Sequence, residues 1–415
     1  MGREKGVHDL VPYLCLFVAA LAVSLLTTPL ARMIAVRCGA VDYPNARRIN
    51  KKPIPRMGGI AIFLGIVAAF VTQYVGTTFF DWPVVLVPSP KLEVNYWMLV
   101  VAFLVIFFTG LVDDFRSLSP RKKLLGQIIA ASFAVAGGLV IGDISNPFPP
   151  GGFIQLGWLA YPVTVVYLVA YTNIINLIDG LDGLAGGISA IAGLTMFVLS
   201  VWAGRLDAAA LSVAVAGSSL GFLRYNFHPA SIFMGDSGAL TLGFALGAVS
   251  LLSVTRFAGL TTIIVPLVIA AVPIIDTFSA IVRRLRGHTG ISHADRGHIH
   301  HRLIDEGYDQ RQAVLLMYGW TFLLCIGSLV MTQVETLPRI LIFCVLLLAS
   351  MAFAWHLRLF EPVLLHHFNP KTGADELVGP DDDAFEEEAE RMHESGHRLP
   401  ERLRPGSPSQ RRGRK

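Results

Sequence analysis

The chain has 415 residues, of which 53% are hydrophobic and only 15% charged, and its mean hydropathy is +0.57. An ordinary soluble domain carries about 25% charged residues, so this composition excludes that class and points to a polytopic membrane protein. The formal net charge of +4 is distributed over short basic loops, which argues against a nucleic-acid-binding domain. The four cysteines show neither metal-type spacing nor a disulfide framework.

Apolar runs bounded by charges or by Gly/Pro clusters predict an all-α protein of about eleven transmembrane helices. They lie near Val11–Val36, Gly59–Phe79, Tyr96–Val112, Leu124–Ile141, Trp158–Ile178, Leu184–Ala203, Ala208–Phe222, Gly238–Val254, Leu260–Val282, Val314–Thr332 and Ile340–Leu359. The first run leads straight into Arg32 and a basic loop without a small-residue cleavage pattern, so it reads as a span and not as a removed signal. Lys and Arg crowd the loops that hold Arg37 to Arg56, Arg116 to Lys123, and Arg283 to Arg311. The opposite loops hold Lys91, Arg205, Arg256 and Arg339, with Arg3 and Lys5 at the N-terminus. Basic loops stay on the cytoplasmic side, which places the N-terminus outside and the C-terminus inside. Residues 1–360 then form one membrane-embedded domain. Residues 361–415, with the acidic run Asp381 to Glu390 and a Pro/Gly/Arg-rich end, read as a disordered cytoplasmic tail.

Five polar stretches interrupt this apolar background. The first loop closes on Pro53-Ile-Pro-Arg56-Met-Gly-Gly59, where stiff prolines aim Arg56 back at the next helix. The third span ends in Asp113-Asp114, followed by Leu118-Ser-Pro-Arg-Lys-Lys123. Adjacent carboxylates raise each other's proton affinity unless a cation is near, which suits a general base or a ligand pair. Lysines beside them can hold phosphate as point charges. Ser119 and Pro120 also read as an ordinary helix start, so a solvated helix end is the plainer reading of this stretch.

The third stretch is Asn173-Ile-Ile-Asn176-Leu-Ile-Asp179-Gly-Leu-Asp182-Gly183, whose two aspartates are the only charges between Asp143 and Arg205. An ionisable group within a span costs about 2.5–3.5 kcal/mol on insertion scales, so its presence there is by default functional. The two Asn side chains suit hard-cation ligation, and Gly180 and Gly183 predict a break in the helix. The fourth stretch, Phe233-Met-Gly-Asp236-Ser-Gly238, sets a carboxylate between glycines at the start of a span, where it can ligate a metal, cap the helix, or do both. Asp276 lies within the ninth expected span. The fifth stretch carries His293, Arg296, His298, His300, His301 and Arg302. It lacks cysteines and suits polyanion binding better than zinc.

Taken together, these motifs, in this order over residues 42–303, resemble the polyprenyl-phosphate N-acetylhexosamine-1-phosphate transferases. The resemblance implies that Asn176 and Asp236 hold Mg²⁺, with Mn²⁺ as the substitute. It implies that Asp113 and Asp114 activate or orient the lipid phosphate and that Lys123 contacts it. Asn173, Asp179 and Asp182 would shape the nucleotide-sugar pocket, Arg296, His298, His300 and His301 would bind the diphosphate and amino sugar, and Arg56 would join these substrate contacts. Asn50 stands where relatives usually have His, which leaves the role of that imidazole without a counterpart here. The rival within the superfamily is the phospho-N-acetylmuramoyl-pentapeptide transferase, whose last motif looks like a His triplet followed by an aromatic and an acid. The sequence His300-His-Arg-Leu303 resembles the N-acetylglucosamine branch instead. The expected reaction moves N-acetylhexosamine-1-phosphate, most simply GlcNAc-1-phosphate, from a UDP-sugar to polyprenyl phosphate and releases UMP. Its partners would be the UDP-N-acetylhexosamine, the polyprenyl phosphate and the bilayer of the plasma membrane, with no nucleic acid and with a homodimer left open. A secondary transporter also places Asn and Asp in broken helices. It needs them at mid-membrane, however, whereas here the acids fall at cytoplasmic span ends.

Overall fold

A computed structural model describes residues 10–43, 53–86, 94–145, 153–254, 266–286, 298–360, 365–369 and 374–378. The helices are α1 (Val11–Arg37), α2 (Gly59–Phe79), α3 (Tyr96–Phe115), α4 (Pro120–Ala136), α5 (Ala160–Ile178), α6 (Leu184–Trp202), α7 (Leu206–Asn226), α8 (Gly235–Val254), α9 (Ala271–Arg286), α10 (Ile299–Asp305), α11 (Gln310–Gln333) and α12 (Thr336–His356). Among the described residues nine helices are long and apolar enough to cross a membrane. They coincide with nine of the eleven runs expected from sequence. The run at Leu124–Ile141 folds instead as α4, which has 17 residues and opens with Pro120-Arg-Lys-Lys. The run at Leu260–Val282 falls partly on residues outside the described set and continues as α9. The chain is thus a predominantly helical, polytopic membrane protein.

Three short antiparallel hairpins complete the described structure: Val41–Asp42 with Ile54–Pro55, Asp143–Ser145 with Phe153–Gln155, and Leu365–Asn369 with Ala374–Val378. The last lies in the segment read as a tail, and the rest of residues 379–415 lie outside the described set.

The chain divides into two compact units. The larger holds Met1–Asp42, Ile54–Ile274 and Val314–Leu347, and the smaller holds Tyr43–Pro53, Ile275–Ala313 and Leu348–Lys415. In the larger unit α8 is the central helix, packed on α2, α3, α5, α6 and α7. Its small residues Gly238, Ala239, Gly243, Ala245, Gly247 and Ala248 let neighbouring backbones approach. A methyl group on Gly243 would stand 2.8 Å from the Cα of Thr172 in α5. α7 packs on α1 and α6 in the same manner, and the Ser24 hydroxyl donates to the Ser218 carbonyl at 2.8 Å to join α1 to α7.

The polar ends of these helices all lie together. α3, α5 and α7 finish near Asp113, Asn176 and Asn226, while α2, α4, α6 and α8 begin near Gly59, Lys123, Gly183 and Asp236. At the opposite ends of the same helices Trp97, Trp158 and Trp202 are exposed, as amphipathic indoles are at a membrane interface.

Candidate active site

The site is built where the start of α8 meets the end of α3. An α-helix begins with backbone N–H groups that have no partner within the helix. Here the missing acceptor comes from another helix. Asp114 Oδ1 accepts from the Asp236 N–H at 2.7 Å, and Asp114 Oδ2 accepts from the Ser237 N–H at 3.1 Å and the Ser237 hydroxyl at 2.5 Å. Such an approach needs close backbones. A methyl group on Gly110, one turn before Asp114, would sit 2.5 Å from the Asp236 carbonyl oxygen, and Gly235 turns into α8 with φ +70°.

Asp114 is therefore only 2% exposed, with both oxygens held by α8. The sequence reading set it beside Asp113 as a group that activates or orients the lipid phosphate; in the structure its side chain is bonded to the start of α8. Its neighbour points elsewhere because adjacent helical residues differ by about 100° around the axis.

Asp113 faces the open side. Its Oδ1 accepts from the Leu118 N–H at 2.6 Å, and its Oδ2 lies 3.8 Å from Lys123 Nζ. Lys123 Nζ also donates to Asn176 Oδ1 at 3.1 Å and to Asp236 Oδ2. The Asn176 amide in turn donates to Asp236 Oδ1 at 3.0 Å. The side chains of α3, α4, α5 and α8 thus converge on one ammonium, which is surrounded by two carboxylates and an amide oxygen.

One turn away along the α4–α5 contact, Gln127 and Asn173 exchange hydrogen bonds of 3.2 and 2.6 Å, and Asn173 also donates to the Val169 carbonyl. These bonds hold Asn173, expected from sequence to shape the nucleotide-sugar pocket, between α4 and α5. The nearly inaccessible Gln127 was not singled out in the sequence. An amide in an otherwise apolar helix was the available signal.

The Asp182-Gly183 turn is fixed by residues that also escaped the sequence reading. Asp182 accepts from His228 Nδ1 at 2.8 Å and the Ala230 N–H at 3.0 Å. Asn226 accepts from the Gly183 N–H at 3.1 Å and donates to the Ile232 carbonyl at 3.0 Å, while Tyr318 donates to the Gly183 carbonyl at 2.6 Å. Asp182 thus ties the turn between α5 and α6 to the segment that follows α7.

Asp179, at the end of α5, remains half-buried. Burial first, and then the fields of Asp236, Asp114, Asp182 and Asp42, push its carboxyl up to about 8.

Arg56 is drawn inward as the sequence suggests, but toward protein groups. Its Nε donates to the Asp114 carbonyl at 3.0 Å and its Nη1 lies 3.2 Å from Asp42 Oδ1. Backbone bonds between Pro55 and Phe233, Gly58 and Phe233, and Gly59 and Met234 dock this loop on the entry to α8.

In the smaller unit Asp276 is fully buried. It accepts from His298 Nδ1 at 3.0 Å and from the Ile299 N–H at 2.7 Å, at the start of α10. His300 and His301 lie on that helix, and Arg296 lies outside the described residues.

Among the described residues no cluster of three or more His, Cys, Asp or Glu side chains could hold a metal alone. The donors around Lys123 are instead two carboxylates and one amide oxygen. Hard oxygen donors of this kind suit Mg²⁺, which keeps several waters and takes few protein ligands. The Lys123 ammonium rests among these oxygens.

The structure is that of a helical membrane protein with a cluster of charged and amide side chains at one end of its spans. A family profile described as glycosyl transferase family 4 matches residues 96–254, the segment from the start of α3 to the end of α8. A Bacillus subtilis (strain 168) protein named "probable undecaprenyl-phosphate N-acetylglucosaminyl 1-phosphate transferase" is 39% identical over 332 residues, covering 80% of this chain and 88% of that relative. A Mycolicibacterium smegmatis decaprenyl-phosphate N-acetylglucosaminephosphotransferase is 35% identical over 74% of this chain and 79% of its own length. A Shouchella clausii phospho-N-acetylmuramoyl-pentapeptide-transferase is 32% identical over 64% of this chain and 79% of its own length. The chain belongs to the glycosyl transferase family 4 of polyprenyl-phosphate sugar-1-phosphate transferases.

Proposed function

We propose that the protein transfers GlcNAc-1-phosphate from UDP-GlcNAc to a polyprenyl phosphate such as undecaprenyl phosphate, releasing UMP and leaving a lipid-linked diphosphate sugar. The observation that carries this reading is the convergence of Asp113, Lys123, Asn176 and Asp236 from four helices at one end of the spans. The Bacillus subtilis and Mycolicibacterium smegmatis relatives named for GlcNAc-phosphate transfer are more identical to this chain and cover more of it than the Shouchella clausii muramoyl-pentapeptide relative does.

A lipid-phosphate oxygen attacks the sugar-bearing phosphorus while the UMP oxygen leaves, so one phosphoanhydride is formed as another is broken. In this scheme Asp113 orients the attacking phosphate and takes its proton where one is present. Asp114 acts through α8, holding Asp236 in place. Asp236 and Asn176 would hold Mg²⁺, which when bound neutralises charge on the diphosphate. Lys123 adds a mobile positive charge for the lipid phosphate. Asp179, protonated at neutral pH, can donate to the nucleotide sugar as an acid. By the resemblance, Arg296, His298, His300 and His301 would bind the diphosphate and amino sugar; within the smaller unit Asp276 fixes the His298 ring. The basic loops place this end at the cytoplasmic face of the plasma membrane, where a soluble nucleotide sugar meets a lipid phosphate.

The test is UMP release by the full chain in nanodiscs, with UDP-GlcNAc, UDP-GalNAc and UDP-MurNAc-pentapeptide each offered beside short and long polyprenyl phosphates. Release from UDP-GlcNAc, lost with chelator and restored by Mg²⁺, is expected. Turnover of the muramoyl-pentapeptide substrate alone would overturn the proposal.

A further inference from the structure

The site contains a cation that the protein itself supplies. Lys123 Nζ donates to Asn176 Oδ1 at 3.1 Å and to Asp236 Oδ2, and it lies 3.8 Å from Asp113 Oδ2. Asn176 and Asp236 are the two residues assigned above to a divalent ion. A bound ion and an ammonium cannot share them. At close range two cations repel by several kcal/mol even in a polar protein interior, about 4 kcal/mol for unit charges 4 Å apart at an effective dielectric of 20. Arg56 is occupied by Asp42 and the Asp114 carbonyl, and Asp113 and Asp236 stand close enough to repel each other when nothing positive lies between them.

We propose that Lys123 is the resident counter-ion of the metal-free site and gives up its oxygens when a divalent cation binds, so that cation and lipid phosphate bind cooperatively. This rests on the metal reading given above. The lysine stem is long and its root lies at the start of α4, on the Arg121-Lys122-Lys123 run, so the displaced ammonium remains at the membrane face, where a lipid phosphate presents its charge. Each ligand thereby removes an obstacle for the other. The cation frees Lys123 for the phosphate, and the phosphate draws Lys123 off the oxygens that the cation needs. By linkage the two effects are equal in size.

The experiment is direct Mn²⁺ binding, read by electron paramagnetic resonance, on the full chain in nanodiscs without nucleotide sugar. It compares wild type with Lys123→Met and Lys123→Gln, each checked for a cooperative thermal transition without added Mn²⁺, since tighter Mn²⁺ binding would itself raise the midpoint. Both variants are expected to bind Mn²⁺ about tenfold more tightly than wild type, the equivalent of about 1.4 kcal/mol. Farnesyl phosphate is expected to tighten Mn²⁺ in wild type and to do so much less in the variants. Equal or weaker Mn²⁺ binding by the variants, with wild type binding normally, would overturn the counter-ion role and leave the metal reading intact. Absence of saturable binding in wild type and variants alike, matching an Asp236→Ala control, would overturn both.

Discussion

Asp113 and Asp114 are neighbours in the chain with unlike surroundings. One faces the ammonium of Lys123, and the other is consumed by three donors at the start of α8. Substituting Asp236→Ala should reduce Mg²⁺-dependent UMP release more than about 100-fold, because a metal ligand and a lysine partner go together. Asp114→Asn replaces an acceptor with an amide group turned toward N–H donors. Its expected effect is a loss of stability of about 1–3 kcal/mol, seen as a lower thermal midpoint, with activity falling further than the loss of folded protein accounts for because Asp236 loses its anchor. Asp179 carries a pH signature. A carboxyl pushed up to about 8 from the ordinary value of 3.8 binds its proton more tightly in the fold than in the unfolded chain, so its contribution favours the fold at low pH and fades as pH rises through that window. The thermal midpoint of metal-free protein should therefore fall between about pH 4 and 8, and Asp179→Asn should flatten that slope. A slope unchanged by the substitution would remove the raised acidity as its cause.

Among the elements, α8 and the loop that docks on it decide whether the site exists. A methyl group on Gly59 would stand 2.1 Å from the Gly238 backbone nitrogen, and on Gly58 2.3 Å from the Phe222 ring. Gly59→Ala must therefore push the loop off the entry to α8, at the roughly 1–3 kcal/mol typical of overpacking, and it should lower activity more than the drop in thermal midpoint accounts for, since Arg56 moves with the loop. The spans and the polar stretches could be read from the chain because charge and amide groups stand out against apolar helices. The division of labour between Asp113 and Asp114 could not be, since it depends on where α8 begins in space. Nor could the roles of Gln127 and Asn226, whose partners lie 46 and 43 residues away. The expectation that Arg56 serves substrate rested on its charge alone, and its two protein partners only become visible once Asp42 and the end of α3 are brought together.

For the whole molecule, the distribution of basic loops makes a topological statement that an exposed thiol can test. Cys38 is exposed just past α1, at the end of that helix from which the docking loop departs, whereas Cys325 is buried. A membrane-impermeant maleimide should label Cys38 in inverted vesicles and leave it unlabelled in intact cells. The reverse pattern would put the site outside.

The helix-starting role of Asp114 also bears on biosynthesis. The carboxylate leaves the ribosome more than a hundred residues before the two amides it will serve, at positions 236 and 237. During that interval the Asp114 side chain lacks the α8 donors that hold it in the finished fold. The reaction centre is therefore assembled late in translation. Nascent chains released between α4 and α8 should be the ones that quality-control proteases recognise.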